Sequence, residues 1–219
     1  MYPLNHTPEL LVGICGKARE GKGTAARLLT NWGFREYAYA TPVKRMIDAL
    51  LGDDAPGDDA KTEDIEWLGV DRRTLYQTLG TGWGRDMIHE DLWIAYLARR
   101  LERDRPRAVV VSDVRFPNEA EFIRSNGGLL LRIAMPEEES RAEREARIGA
   151  DLEVGGIPGH ESESFVDGIS CHATLKNSGT VEALQAALFE HLLAYQDARR
   201  GGPDAGLFAG DPAFAAQGA

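Results

Sequence analysis

The stretch Leu10 to Thr24, LLVGICGKAREGKGT, decides the fold. Its first six residues, LLVGIC, are apolar on both faces of any strand they form, the pattern of a strand buried inside a parallel sheet. Gly16 ends that run, and from Thr24 onward Ala25, Leu28, Leu29 and Trp32 recur at helical spacing until Gly33. Between strand and helix lies Gly16-Lys17-Ala18-Arg19-Glu20-Gly21-Lys22-Gly23-Thr24. Glycines in such a turn let the backbone curl so that successive amides point at phosphate oxygens, and the helix N-terminus adds positive potential. Lys22 is then placed to bridge β- and γ-phosphates and the Thr24 hydroxyl to reach magnesium or phosphate, which makes the segment a candidate ATP site. One residue departs from the strict pattern: Gly23 intervenes between the lysine and the hydroxyl. Lys17 and Arg19 add charge where a triphosphate would lie; the competing reading is a pair of solvated loop cations.

Outward from this loop, strands and helices alternate. Phe34 to Ala40 reads as a strand, and Thr41-Pro42 starts a helix running through Leu51, with threonine as the expected cap. Residues 53–66 read as an acidic, solvated loop around Pro56 and Gly57. Helical patterns follow at Arg72 to Leu79 and Glu90 to Arg103, separated by the glycine-rich Gly80 to Gly84. AVVVS, Ala108 to Ser112, is the clearest core strand. Pro117 to Ser125 is a short helix stopped by Asn126-Gly127, Leu129 to Ala134 a strand, Glu137 to Gly149 a charged helix, His172 to Lys176 a last strand and Thr180 to Arg199 a long amphipathic helix. The alternation predicts a three-layer α/β fold with a mostly parallel sheet, whose ligands bind at the carboxyl ends of the strands. Residues 1–200 form the expected domain and 201–219 a Gly-, Ala- and Pro-rich flexible tail.

Val109-Val110-Val111-Ser112-Asp113 ends an apolar strand in a carboxylate, the form expected of the element that orders magnesium opposite a phosphate loop. Val114 follows where many motor ATPases carry a water-activating glutamate, which disfavours simple hydrolysis. Arg115 and Glu119 flank the start of the Pro117 helix, so all three can face one crevice; the alternative is that the carboxylates cap that helix.

The formal net charge is −10, with 35 acidic and 25 basic side chains. A general grip on nucleic acid is thereby disfavoured. The excess is local. Residues 53–66 hold seven acids against Lys61, a net of −6, and residues 137–153 hold seven against three arginines, a net of −4. Outside them the chain is neutral, and the stretch from Lys17 to Asp48 carries seven bases against three acids. Two cysteines, Cys15 and Cys171, are too few for a disulfide framework, and Cys15 reads as a small buried residue. No apolar run spans a bilayer and no leader pattern opens the chain, so a cytoplasmic protein is expected.

With these residues in place the sequence resembles the bacteriophage deoxynucleoside monophosphate kinases, within the P-loop nucleoside monophosphate kinase group. The likeness is a series in order: the loop at Gly16 to Thr24; Ala40 to Lys44; Leu79-Gly80-Thr81 with Gly84-Arg85; Asp91-Leu92-Trp93; Asp113 to Ala120; His160 to Glu163; and Asn177 to Thr180. The resemblance implies a P-loop kinase fold with a lid at 137–160, ATP and Mg2+ as cofactors, and transfer of the ATP γ-phosphoryl group to a deoxynucleoside monophosphate. It assigns Gly16, Lys17, Arg19, Gly21, Lys22, Gly23 and Thr24 to ATP, and Thr24 with Asp113 to the metal. Lys22, Arg85, Asp113 and Arg115 are implied as catalytic. Lys44, Arg73, Gly80, Trp93, Asp113, Arg115 and Glu119 are implied for the acceptor, Trp93 either walling the base or simply filling the core. Many relatives carry aspartate where Gly23 stands. Arg141, Arg144 and Arg147 could close over the phosphates or form a solvated face. The oligomeric state, a homodimer included, stays open.

Two other functions compete with this one. A kinase of the same fold acting on a hydroxymethylated base within DNA would need a basic track, which is not concentrated anywhere here. A nucleotide-binding protein without catalysis is disfavoured by the cations around the loop and the Asp113-Arg115 element.

Overall fold

The computed structural model describes residues 2–17, 20–52, 64–135, 165–177, 180–199 and 201. In chain order its elements are β1 (Leu10–Cys15), α1 (Lys22–Asn31), β2 (Arg35–Tyr37), α2 (Thr41–Leu51), β3 (Asp64–Ile65), β4 (Val70–Asp71) and α3 (Arg72–Gln77). A π-helix (Thr78–Ile88), α4 (Leu92–Asp104), β5 (Ala108–Val114), α5 (Pro117–Ser125) and β6 (Leu129–Ala134) follow; a 3₁₀ turn (Val166–Gly168), β7 (Ala173–Lys176) and α6 (Val181–Arg199) complete the set. The chain divides into two compact units, one drawn from residues 2–39, 94–135 and 165–201, the other from residues 40–93.

The first unit is built on a five-stranded sheet in the order β2-β5-β1-β6-β7, with every pairing parallel. β1 lies at its centre because LLVGIC buries both faces: everything after Leu10 in that strand is buried. On one face Val12, Ile14, Val110, Leu129, Leu131, Ile133 and Leu175 form a continuous core with α1 and α6. α6 supplies Leu184, Leu188, Leu192, Tyr195 and Ala198, a stripe at helical spacing that fits its side of the sheet. On the other face α5 packs Ile123 against Leu130 and over Gly13. Helices on both faces of a parallel sheet make the expected three-layer α/β fold. Among the described residues no helix is long and apolar enough to cross a membrane.

Differences from the sequence reading have local causes. α1 begins at Lys22, two residues before Thr24, because the Ala25 amide already bonds the Gly21 carbonyl at 3.0 Å. β5 continues past Ser112 to Val114, since β1 pairs with it as far as Cys15. α2 starts as expected, but the residue preceding it is Ala40 and no side chain caps it; proline in the first turn sets its direction instead. Residues 64–66, read as loop, begin a hairpin in which Asp64 and Ile65 pair with Asp71 and Val70. The rest of the acidic loop, the lid at 137–160 and the tail beyond Gly201 lie outside the described residues.

In the second unit the Asp71 carboxylate accepts from the Thr74 amide at 2.5 Å and caps α3. Gly80 to Gly84, read as a break, is instead the middle of the π-helix. Trp93 explains the continuity. Its ring fills the place a side chain at Gly84 would take, 2.3 Å from an ideal Cβ there, and its indole N–H donates to the Gly80 carbonyl at 2.7 Å. Trp93 is 6% exposed. Its placement gives it a packing role in this unit. Trp93→Ala should therefore cost about 3–5 kcal/mol in urea unfolding; a cost below about 1 kcal/mol together with a large activity loss would favour the base-contact role.

Candidate phosphate-binding site

The loop between β1 and α1 takes its shape from two glycines. Gly16 has φ +148° and Gly21 φ +100°, where side chains are disfavoured. Space forbids them as well: a Cβ on Gly16 would lie 2.4 Å from the Ile133 carbonyl oxygen, and one on Gly21 2.3 Å from Asn177 Nδ2. Gly23 differs, with nothing within 4 Å of an added Cβ. A side chain there, such as the aspartate that the resemblance implies for relatives, would meet no obstacle. The first amides of α1 have no partner within the helix and lie at the end of this loop, an arrangement suited to anions.

Lys22 folds its ammonium back onto the loop, donating to the Gly16 and Lys17 carbonyls at 2.7 and 2.5 Å. Burial, and next the positive charge of Arg115, lower its pKa to about 8, while Glu20, Cys15 and Asp113 act in the opposite sense. A phosphate arriving here would supply the negative charge that this ammonium lacks. Lys17 is turned toward Asp167, 2.9 Å away. Arg19 lies outside the described residues.

Two residues that hold the loop carried no assigned role in the sequence. Glu20 is buried and accepts the Lys17 amide at 2.6 Å. Asn177, one residue past β7, donates its side-chain N–H to the Glu20 carbonyl at 3.1 Å, while its own amide bonds the Ala134 carbonyl at 2.8 Å. Asn177 thus ties the loop to the end of β6 and fills the notch left by Gly21.

Asp113 is the next-to-last residue of β5, beside the strand's carboxyl end. β1 advances two residues from Gly13 to Cys15 while β5 advances three, from Val111 to Val114, so the extra residue falls in the Ser112–Asp113 region. A bulge of this kind re-aims side chains beside a site. Here one Asp113 oxygen accepts the Tyr39 amide at 2.8 Å, and the Tyr39 hydroxyl donates to the Glu119 carbonyl at 3.1 Å. Tyr39 is a further residue that sequence spacing did not single out. Glu119 is 3% exposed, and one of its oxygens accepts the Arg115 and Phe116 amides at 2.8 and 3.1 Å, so it closes the start of α5. The capping alternative fits Glu119; Asp113 binds elsewhere. Arg115 is exposed.

The remaining candidates belong to the second unit. Lys44 is exposed on α2 and Arg73 half-buried on α3. Arg85 is buried and donates to the Glu90 carbonyl at 3.1 Å. Its buried neighbour in type is Arg72, unremarked in the sequence, which pairs with Asp48 and donates to the Tyr76 hydroxyl at 3.0 Å. Gly80 offers its carbonyl to Trp93.

Among the described residues no three His, Cys, Asp or Glu side chains cluster as a metal cage. Thr24 and Asp113 offer a hydroxyl and a carboxylate, hard oxygen donors few in number. That set fits Mg2+, which keeps waters and substrate phosphates in its shell and uses only one or two carboxylates.

No family model matches the chain. It is 35% identical over 144 residues to a protein of Acanthamoeba polyphaga mimivirus provisionally named deoxynucleotide monophosphate kinase, covering 58% of this chain and 75% of that one. It is 26% identical over 234 residues to the deoxynucleoside-5'-monophosphate kinase of Escherichia phage T5, covering 74% of this chain and 92% of the relative. In fold it is similar to the crystal structure of TT1252 from Thermus thermophilus, with a TM-score of 0.50 at 20% identity, over 85% of this chain and 97% of that one. Order of motifs, parallel sheet, glycine-shaped loop and sequence identity converge: the chain belongs to the deoxynucleoside monophosphate kinase family of phosphotransferases.

Proposed function

We propose that this chain transfers the γ-phosphoryl group of ATP to the phosphate of a deoxynucleoside monophosphate, giving a deoxynucleoside diphosphate and ADP. The observation that carries the proposal is the loop itself: Gly16 and Gly21 held where no side chain fits, with Lys22 and the start of α1 directly after them. An acceptor phosphate is largely ionised at neutral pH, so no general base is required. Catalysis then reduces to alignment and stabilisation of spreading negative charge.

In this reading Gly16, Lys17, Arg19, Gly21, Lys22, Gly23 and Thr24 bind the ATP phosphates. Lys22 exchanges its two carbonyl partners for phosphate oxygens. Thr24 and Asp113 would hold Mg2+, which when bound neutralises phosphate charge. Asp113 is kept in position by the Tyr39 amide. Arg115, close enough to Lys22 to depress its pKa, orients and neutralises phosphate on the same side. Lys44, Arg73 and Arg85 serve the acceptor phosphate.

Asn177→Ala tests the loop assignment. Losing one hydrogen bond of about 1 kcal/mol should raise KM for ATP roughly fivefold and leave KM for the acceptor unchanged. An equal rise in both constants would contradict it.

The substrate is tested by following ADP release with dAMP, dCMP, dGMP, dTMP and their ribose and hydroxymethyl counterparts. Turnover with at least one free deoxynucleotide, weakly dependent on salt, is expected. Turnover confined to duplex DNA and falling steeply with salt would favour the kinase acting on a base within DNA.

A further inference from the structure

Cys15 and Cys171, 156 positions apart in sequence, bring their sulfurs to 3.1 Å in the first unit. Both are free thiols. Cys15 is buried at the end of β1, immediately before the phosphate loop; Cys171 is half-buried between the 3₁₀ turn and β7. We infer that the two form an oxidisable pair, a site of covalent modification whose disulfide couples thiol oxidation by a peroxide to the grip of the phosphate loop on ATP. The coupling rests on the phosphate-loop reading above; formation of the bond does not.

The surroundings assign the two roles. Cys171 is the more accessible, and its segment is ringed by cations: Arg132 donates to the Val166 and Ile169 carbonyls at 2.8 and 2.6 Å, and Arg124 to the Ser170 carbonyl at 2.8 Å. Its thiol is drawn below the usual value, first by the hydrogen bond from Cys15 and then by Arg132, whereas the hydrogen bond to Cys171 and burial push the Cys15 thiol up. Cys171 is therefore the nucleophile and Cys15 the resolving thiol. The Cys171 thiolate attacks one oxygen of hydrogen peroxide; the O–O bond breaks, hydroxide leaves and a sulfenic acid forms. Sulfur of Cys15 then attacks sulfur of Cys171, the S–O bond breaks, and the departing hydroxide takes the Cys15 proton. Two thiols and one peroxide give one disulfide and two waters, the sulfurs losing the two electrons that the peroxide gains.

A disulfide is about 2.05 Å long, so the sulfurs must approach by about 1 Å. β1 is hydrogen-bonded on both sides, by β5 and β6, which holds the Cys15 backbone in place. Any backbone part of the closing movement then falls on the segment around Cys171, which also carries Asp167. That carboxylate holds Lys17 of the phosphate loop at 2.9 Å and lies 3.8 Å from Arg132. Oxidation should accordingly disturb Lys17 and raise KM for ATP about twofold to fivefold, the scale of one exposed ion pair.

The test treats the full chain with a small excess of hydrogen peroxide, alkylates remaining thiols and maps peptides by mass, with steady-state kinetics before and after dithiothreitol. Expected are a Cys15–Cys171 linked peptide lighter by two hydrogens, a raised KM for ATP and recovery of both on reduction. Cys171→Ser should abolish the linkage and the kinetic change, and Cys15→Ser should leave Cys171 as a sulfenic acid that dimedone traps. Absence of the linked peptide, or an equal peroxide response in Cys171→Ser, overturns the pair; a linked peptide with unchanged KM for ATP overturns the coupling. Failure of the kinase reading itself would appear separately, as absent phosphoryl transfer in the reduced protein.

Discussion

Lys22→Ala should lower ADP formation about 10²–10³-fold while leaving the unfolding transition nearly unmoved. On the proposed reading the ammonium meets the phosphate charge, and alanine cannot supply it. Its contribution to stability is small by contrast. Its two hydrogen bonds run to carbonyls of the loop itself, and burying the charge offsets part of their value, as the pKa lowered to about 8 shows. Kinetics with saturating acceptor and thermal unfolding, measured on the same preparation, separate the two effects. Near-normal turnover would remove the loop from the mechanism.

Asp113→Asn is expected to reduce turnover by about two orders of magnitude and stability by less than about 1 kcal/mol. The asparagine oxygen can still accept the Tyr39 amide, so the local architecture survives while the negative charge is lost. Asp113→Ala supplies the comparison. It removes the acceptor too, and leaving that amide without this partner should add about 1–3 kcal/mol of destabilisation. If both variants unfold alike and lose activity only in proportion, Asp113 is a structural acceptor and the metal site must be sought elsewhere.

The distribution of what was legible follows from the range of each interaction. β1, α2, α5 and β6 keep the bounds read from sequence, because local signals set them: Gly16 after LLVGIC, Pro42 and Pro117 in first turns, and Asn126-Gly127 at a stop. The loop glycines were readable for the same reason. The π-helix was not. Glycines at 80, 82 and 84 look like a break until Trp93 is seen packed against Gly84 and bonded to the Gly80 carbonyl. The bulge beside Asp113 is a property of two strands and has no signature in either one. Asn177 stood in a recognisable motif, but its partner, Glu20, is 157 positions away. The two cysteines, too few to suggest a disulfide framework, stand 156 positions apart, and only the folded chain brings their sulfurs to 3.1 Å.

Incubation with ATP labelled in its γ-phosphoryl group, unlabelled deoxynucleoside monophosphates and Mg2+ tests the phosphoryl-transfer assignment most directly. Label should appear in a deoxynucleoside diphosphate in equal amount to the ADP formed, and the transfer should vanish in Lys22→Ala. Label recovered only as inorganic phosphate, or in no product at all, would contradict it.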